Sequence, residues 1–522
     1  MLGSYFSSGQ QGAIAAAAAL SISAVYFFQR GAHRAALSLL LASALLLRLF
    51  AALLDPFLNT WDEAVHALVA KHLSEDPLKP YLYTEEALAL DHTQWTHNHV
   101  WLHKQPFFLW CMALSIKAFG PTVLAVRLPS VVFMTALVGF TYGIANAIAG
   151  QRAAFVTALL MTWTQWHLRL VAGAVITDHN DAAFIALVGG SIWAWFLGHR
   201  ARDLRWAVLI GAFSGAALLT KWLPGLLVFL PWGLIAAWRT IRGRGRQEWR
   251  SFGASLMVVI LMVLPWQLYA WSTYPIEMAH EMAYNTAHVW TPLEGHTGDG
   301  WFYWEALREQ LFPIAPFVVF SSVAWMVFLH RKDEGAWHMG ISVGFVYVFY
   351  SLVATKMKSY AMLVVPYLFI GVGGALAWIV DRTLKGLVAN TSLILLAVSV
   401  AVMLFNVERL QLLHTTQCSQ DPYASIYRTA NIHNLQAMQS VKDLTAGHDR
   451  VFLFNVPFPA DLQHSFFHGQ EALPWLPYRG QLERLSAKGY SIFIVDPPEC
   501  YDVPREVGVI DLKGMGFRPT EP

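Results

Sequence analysis

Residues 35–54 read AALSLLLASALLLRLFAALL, and residues 55–64 continue as DPFLNTWDEA. The first stretch carries one charge, Arg48, and is as long as an α-helix needs to be to cross a bilayer core, about 20 residues. The second turns polar at once and brings two adjacent carboxylates, Asp62 and Glu63, to the end of that crossing. Outward from this boundary the pattern repeats. Apolar stretches fall at 12–28, 35–54, 125–148, 153–175, 183–198, 206–221, 222–238, 252–271, 313–330, 337–354, 361–380 and 386–405. They predict an all-α polytopic membrane protein with about twelve transmembrane helices. The segment 106–119 is apolar but short, and reads as a juxtamembrane or re-entrant helix.

Composition agrees. The 522 residues are 56% apolar and 13% charged, against roughly 25% charged for soluble domains. That excludes a soluble globule and a disordered chain. A net charge of +2 provides no field for an anionic polymer, so no nucleic-acid partner is expected. No Lys or Arg precedes Arg30, so no cleavable signal peptide is expected.

Basic residues fix the orientation. Arg30, Arg34, Arg152, Arg200, Arg202, Arg205, the cluster from Arg239 to Arg250, Arg331, Lys332, Arg382 and Lys385 share one side, the cytoplasm. The acid-rich loops at 55–124 and 272–312, and everything after 405, then face outward. The predicted division is a transmembrane unit over 1–405, its first outer loop at 55–124, and a small C-terminal extracytoplasmic α/β domain over 406–522. Within the last, strand-like runs at 451–456 and 491–495 alternate with helical patterns at 432–444 and 481–488. Cys418 and Cys500 lie on this oxidising side, where they could pair or stay as free thiols.

Candidate chemistry crowds the outer ends of the helices. Asp62 and Glu63 open an amphipathic helix. A helix dipole favours acids there, and a carboxylate at the membrane surface can also accept a hydroxyl or amine proton. Residues 176–181 place Asp178 and Asp181 on one short turn, where one can cap a helix and the other is open to function. Lys104, ahead of Pro106, sits near a helix N-terminus, which disfavours a cation unless an anion such as phosphate is bound. Lys356 and Lys358, with Lys221, run against the inside bias for bases; they point to an anionic partner, and lipid headgroups alone would also satisfy them. Residues 294–304 form a glycine-rich, aromatic loop with His296 and Tyr303. His97, His99 and His103 could hold a divalent metal with a nearby carboxylate, or simply hydrogen-bond at the interface. No cofactor is otherwise required.

Taken in order, these features resemble the GT-C membrane glycosyltransferases, in the branch of protein O-mannosyltransferases and lipid A aminoarabinose transferases. The resemblance spans roughly residues 40–405. It runs through Asp62-Glu63, Lys104-x-Pro106, Phe119-Gly120, Arg127-Leu128-Pro129-Ser130, Thr177-Asp178, Leu219-Thr220-Lys221, His296-x3-Gly300 with Tyr303, and Lys356-x-Lys358-x-Tyr360 with Pro366. The family's usual Lys-Pro-Pro is Lys104-Gln105-Pro106 here. The resemblance implies a sugar donor on a polyprenyl phosphate and a lipid, glycan or protein acceptor. Asp62 would be the main catalytic carboxylate, with Asp178 and Glu63 as further acidic site residues. Lys104, Lys356 and Lys358 would hold the lipid phosphate, with Tyr360, Lys221, His296 and Tyr303 around the donor. It implies a multi-pass protein of a bacterial inner membrane, with its site facing the periplasm or exterior. The alternative from a different class is a carrier or flippase for an anionic lipid or solute.

Overall fold

A computed structural model describes residues 6–175, 179–201, 203–243, 246–311, 313–329, 333–405 and 422–520. The chain begins with α1 (Ser8–Gln29) and α2 (His33–Ala52), followed by α3 (Asp62–Glu75) and α4 (Pro106–Phe119) in the first loop. Pro106 fills the first turn of α4, where no backbone N–H is needed, and Gly120 at φ 77° ends it. The helix is as short as the sequence implies.

Next comes α5 (Val123–Trp163), broken at Gly150, whose φ of 81° and ψ of 178° only glycine adopts readily. Two of the expected crossings are the legs of this one element. Then follow α6 (Gln165–Val171), α7 (Asp181–Ala201), α8 (Leu204–Lys221), α9 (Phe229–Ile241), α10 (Arg246–Thr273), α11 (Pro275–Trp290), α12 (Phe302–Gln310), α13 (Ala315–Ala324), α14 (Glu334–Leu352), α15 (Lys358–Met362), α16 (Val365–Thr383) and α17 (Gly386–Leu404).

Among the described residues eight helices are long and apolar enough to cross a membrane, or nine if the bent pair Phe302–Gln310 and Ala315–Leu329 is one span. The expected twelve is therefore not reached by length and composition. The two legs of α5, kinked at Gly150, count as one helix, the apolar part of α17 (Val388–Leu404) is short, and α14 is diluted by Glu334, His338 and three glycines. The chain is still a multi-pass membrane protein.

Arg48, the one charge in the opening stretch, is fully buried. Its guanidinium donates to the carbonyls of Met161 (2.9 Å), Thr162 (3.4 Å) and Ala44 (3.1 Å). Met161 and Thr162 lie in the last turn of α5, where carbonyls lack helical partners and the dipole favours a cation. A charge that looks misplaced in sequence thus fastens α2 to α5.

The C-terminal residues form α18 (Pro422–Leu444), β1 (Val451–Phe454), α19 (Ala460–His468), β2 (Glu471–Leu473), α20 (Arg479–Ala487), β3 (Ser491–Val495) and β4 (Gly508–Ile510). The strands make one parallel sheet in the order β2-β1-β3-β4. All four β1 residues are buried, as a parallel strand covered on both faces requires. Val451 and Leu453 join Met438 and Val441 of α18 in one core, while Phe452 and Phe454 join Phe466, Leu482 and Leu485 in another. This unit rests on the segment between α2 and α4. Lys71 donates to the carbonyls of Ser465 (2.6 Å) and Phe466 (2.8 Å), the Tyr83 hydroxyl donates to Asp461 (3.0 Å), and Lys488 pairs with Glu85.

Candidate active site

Asp62 and Glu63 are neighbours in sequence and both are buried, yet their surroundings divide them. Trp61, just ahead, has φ 67° and ψ −123°, a left-handed value that costs a bulky residue energy and persists only where its surroundings enforce it. That turn sends the two carboxylates to different partners.

Glu63 faces inward. Arg127 donates to it through Nε (2.7 Å to Oε1) and Nη2 (2.9 Å to Oε2). Asn59 adds its backbone N–H (2.7 Å) and side-chain amide (3.0 Å). Burial alone would raise the Glu63 carboxyl, but the Arg127 charge and hydrogen bonds, with His179 and Asn59, bring it below the ordinary value. The rest of the Arg127 fork donates to the carbonyls of Ala52 (3.0 Å), Asp55 (3.1 Å) and Phe57 (2.9 Å). Gly173, at φ 70°, lies against the pair; a Cβ there would stand 2.4 Å from the Glu63 carboxyl carbon. Glu63 is thus a fully engaged anchor, and its geometry does not suit it to receive a substrate proton.

Asp62 faces Lys104 and His66. Its Oδ2 lies 3.8 Å from Lys104 Nζ and 4.0 Å from His66 Nε2. Lys104 keeps 20% of its side chain exposed, so this pair reaches the surface. Behind it, His66 and His179 stack at 5.6 Å with their Nδ1 atoms 3.4 Å apart. Burial pushes both imidazoles down, His179 to about 4, so both are neutral at pH 7.

The remaining expected site residues spread over several partners. Asp178 lies outside the described residues. Lys221 pairs with Asp181 at 2.5 Å and stands 5.0 Å from the Tyr360 ring centre. Lys356 is buried and donates to the carbonyls of Tyr350 (3.0 Å), Ser351 (2.6 Å) and Val353 (2.6 Å), with the buried Tyr303 ring at 5.8 Å. It therefore caps the end of α14. Replacing Lys356 with methionine should cost about 2 kcal/mol of stability through these charge-assisted bonds, which thermal unfolding of the detergent-solubilised protein would measure. Lys358 pairs with Glu309 at 2.6 Å and is half exposed. His296 Nε2 is 3.8 Å from Glu294, and its carbonyl accepts from the Lys356 N–H (2.9 Å), joining the glycine-rich loop to the 354–356 segment.

The expected metal site is corrected. Among the described residues no group of three or more His, Cys, Asp or Glu could hold a metal ion. His97 faces Asp461 (3.4 Å), His99 engages the Tyr83 carbonyl (2.6 Å), and His103 faces Glu281 (3.2 Å). The loop is irregular, so even spacing in sequence does not make the rings converge. Of the two cysteines that could pair or stay free, Cys418 lies outside the described residues, and Cys500 is a free, exposed thiol.

Residues 103–269 match the family model of dolichyl-phosphate-mannose-protein mannosyltransferases. ArnT from Cupriavidus metallidurans bound to undecaprenyl phosphate has a similar structure, with a TM-score of 0.59 at 17% identity over 91% of this chain and 89% of that one. The fold is GT-C. An Archaeoglobus fulgidus oligosaccharyltransferase shares it more distantly, with a TM-score of 0.54 at 11% identity over 86% of this chain and 64% of that one. In sequence, an undecaprenyl phosphate-alpha-4-amino-4-deoxy-L-arabinose arabinosyl transferase of Pseudomonas aeruginosa is 26% identical over 285 residues, 48% of this chain and 46% of that protein. The chain spans about half the length of the curated relatives it matches.

On this GT-C frame, sequence reasoning missed the roles of Asn59, His66, Arg127 and His179. Arg127 had one available signal. It is a charge seven residues after Gly120 in an otherwise apolar run, and a buried arginine needs a carboxylate or backbone carbonyls to accept from it.

Proposed function

We propose that this chain is an integral-membrane glycosyltransferase that moves a sugar from a polyprenyl-phosphate donor to an acceptor at the extracytoplasmic face. The observation that carries the reading is the buried Asp62 carboxylate, set by a strained turn at the head of α3, with Lys104 at 3.8 Å. The similarity to an undecaprenyl-phosphate-bound protein and to a transferase using an undecaprenyl-phosphate sugar supports the donor class.

The chemistry follows from that pair. The bond between the sugar's anomeric carbon and the phosphate oxygen breaks, and its electrons leave on the polyprenyl phosphate. Lys104, with its partly exposed ammonium, stabilises that charge. The acceptor, a hydroxyl or amine of a lipid, glycan or protein, forms the new bond to the same carbon and gives its proton to Asp62. Asp178 belongs to this reading as a second acid, and Lys221, Lys356, Lys358, Tyr303 and Tyr360 as the surrounding frame. So do the crossings beyond those long enough by themselves, an extracytoplasmic 406–522 unit, and placement in a bacterial inner membrane with the site facing the periplasm.

Mass spectrometry of glycoconjugates from a deletion strain tests the reading. One sugar should be missing and should return with the wild-type chain. Net lipid transport by purified protein without any glycosidic product would overturn it in favour of a carrier. Lys104→Met should weaken undecaprenyl phosphate binding about tenfold, the loss expected for one charge-assisted contact, in a binding titration of the protein in nanodiscs.

A further inference from the structure

A row of aromatic rings leads away from the Asp62–Lys104 pair. Trp61 directly precedes Asp62, and His103 directly precedes Lys104. Trp95 joins the two: its ring stacks on His103 at 4.9 Å between centres and meets Trp61 at 6.0 Å. From Trp61 the row passes to Phe458 of the C-terminal unit (5.2 Å), then to His97 (5.7 Å) and Trp475 (5.2 Å). His103 is buried, and the other five rings are partly exposed. The buried Asp461 stands behind His97 at 3.4 Å and holds that ring in line.

The far end of the row lies where an open parallel sheet places its ligands. Phe458 and Trp475 follow the carboxyl ends of β1 and β2. β2 lies on one side of β1 and β3 on the other, so the β1–β3 junction is a topological switch point, outside which ligands of such sheets bind. Both strands leave that edge through left-handed residues that are not glycine, Asn455 (φ 63°) and Asp496 (φ 41°). Asn455 donates its backbone N–H to the Trp475 carbonyl (3.0 Å) and its side-chain amide to the carbonyls of Val495 (2.8 Å) and Asp496 (3.1 Å). It thereby fastens Trp475 to the switch point. With Trp61 at φ 67°, strained residues stand at both ends of the row, as they do at ligand clamps.

The rings offer polar handles as well as faces. Trp101 and Trp110 nearby donate their indole N–H groups to the carbonyls of Trp95 (2.8 Å) and Pro77 (2.8 Å). Among the described residues, the indole N–H groups of Trp61, Trp95 and Trp475 have no acceptor in the protein. A matching occupant brings an apolar C–H face to each ring and an oxygen acceptor to each N–H. A saccharide has both on every sugar ring. An acyl chain has no acceptor, and a peptide has no repeated C–H face.

We propose that the acceptor is a saccharide, free or borne on a lipid, and that Trp61, Trp95, Phe458 and Trp475 form its binding platform. The ring that presents the attacking hydroxyl or amine lies by Trp61 and Trp95, and further sugar rings run toward the C-terminal unit. The inference rests on the reading of the Asp62–Lys104 pair as the reaction site, but the platform can be measured without any reaction.

The test uses the full chain in nanodiscs and four proteins: wild type, Trp475→Ala, Trp475→Phe and Lys71→Met. Lys71→Met loosens the seat of the C-terminal unit away from the row, at the α19 carbonyls. The probes are the total oligosaccharide released by mild acid from the envelope of the deletion strain, where unmodified acceptor accumulates, the intact glycolipids of that strain, and a Ser/Thr-rich peptide. Released oligosaccharide should bind wild type, and bind about tenfold more weakly to Trp475→Ala. Trp475→Phe, which keeps a ring face and loses the N–H, should bind it about threefold more weakly. Lys71→Met should bind it like wild type, and undecaprenyl phosphate should bind all four proteins alike, which also certifies their folding. The same Trp475 dependence seen only with intact glycolipid supports the platform too and makes the lipid the carrier. Equal saccharide binding by wild type and Trp475→Ala overturns the inference. So does an equal loss in Lys71→Met, a failure of both saccharide forms to bind wild type, or Trp475-dependent binding of the peptide in their place. If the wild-type chain yields no glycosidic product in the complemented strain, the functional reading fails, and the binding result still decides the platform.

Discussion

Replacing Arg127 with methionine should destabilise the protein by about 3–5 kcal/mol, because it strands a buried carboxylate. Glu63 is wholly enclosed, and two of the four hydrogen bonds it accepts come from this one guanidinium. The same arginine closes the carbonyls of Ala52, Asp55 and Phe57, which end α2 and begin the loop that leads to Asp62. Its loss therefore leaves acceptors unpaired on both sides. Chemical unfolding in detergent, followed by near-ultraviolet circular dichroism, would measure the drop. Replacing both members, Glu63→Leu with Arg127→Met, should cost less than the sum of the single changes, because no charge is then left alone. Equal stability of Arg127→Met and wild type would mean that the pair does not hold this loop.

The pair also sets a pH dependence. The Glu63 carboxyl is lower in the folded protein than its ordinary value near 4.3. A depressed carboxyl contributes stability above the unfolded value and loses it as pH falls through the folded value. The contribution from this site is thus complete at neutral pH and disappears only under acid conditions below the usual carboxylate range.

The membrane architecture was legible because twenty-residue apolar runs leave few other readings, and because α4 announces its ends with Pro106 and Gly120. The parallel sheet was legible in part, from the runs at 451–456 and 491–495. Asp62 and Glu63 could not be told apart. Their difference lies in a partner 64 residues away, Arg127, and in the φ of Trp61, and neither leaves a local mark. Lys356 stood out as a base on the expected outer side, and in the structure the carbonyls at the end of α14 engage it. Charge placement signals that some anion or dipole is nearby without saying which. The histidines of the first loop mislead for a related reason: in an irregular segment, spacing carries no direction.

Asp62→Asn should reduce sugar transfer about 10³-fold while leaving the fold intact, within the range that a positioned general base supplies. Asparagine has the shape of aspartate, so packing at the head of α3 survives, but its amide cannot take the acceptor's proton. The same change removes a negative charge 3.8 Å from Lys104. Lys104 then faces a bound phosphate with one competing carboxylate fewer, so undecaprenyl phosphate should bind this variant at least as tightly as wild type. The two outcomes together are diagnostic. A carboxylate whose task was to anchor the donor would lose binding when neutralised, and one whose task was structural would lose melting temperature. A carboxylate that acts in the chemical step itself loses turnover alone. Transfer at the wild-type rate by Asp62→Asn, measured on glycoconjugates from the complemented deletion strain, would remove Asp62 from the reaction. The search for the base would then move to the other acid of the 176–181 turn, Asp178.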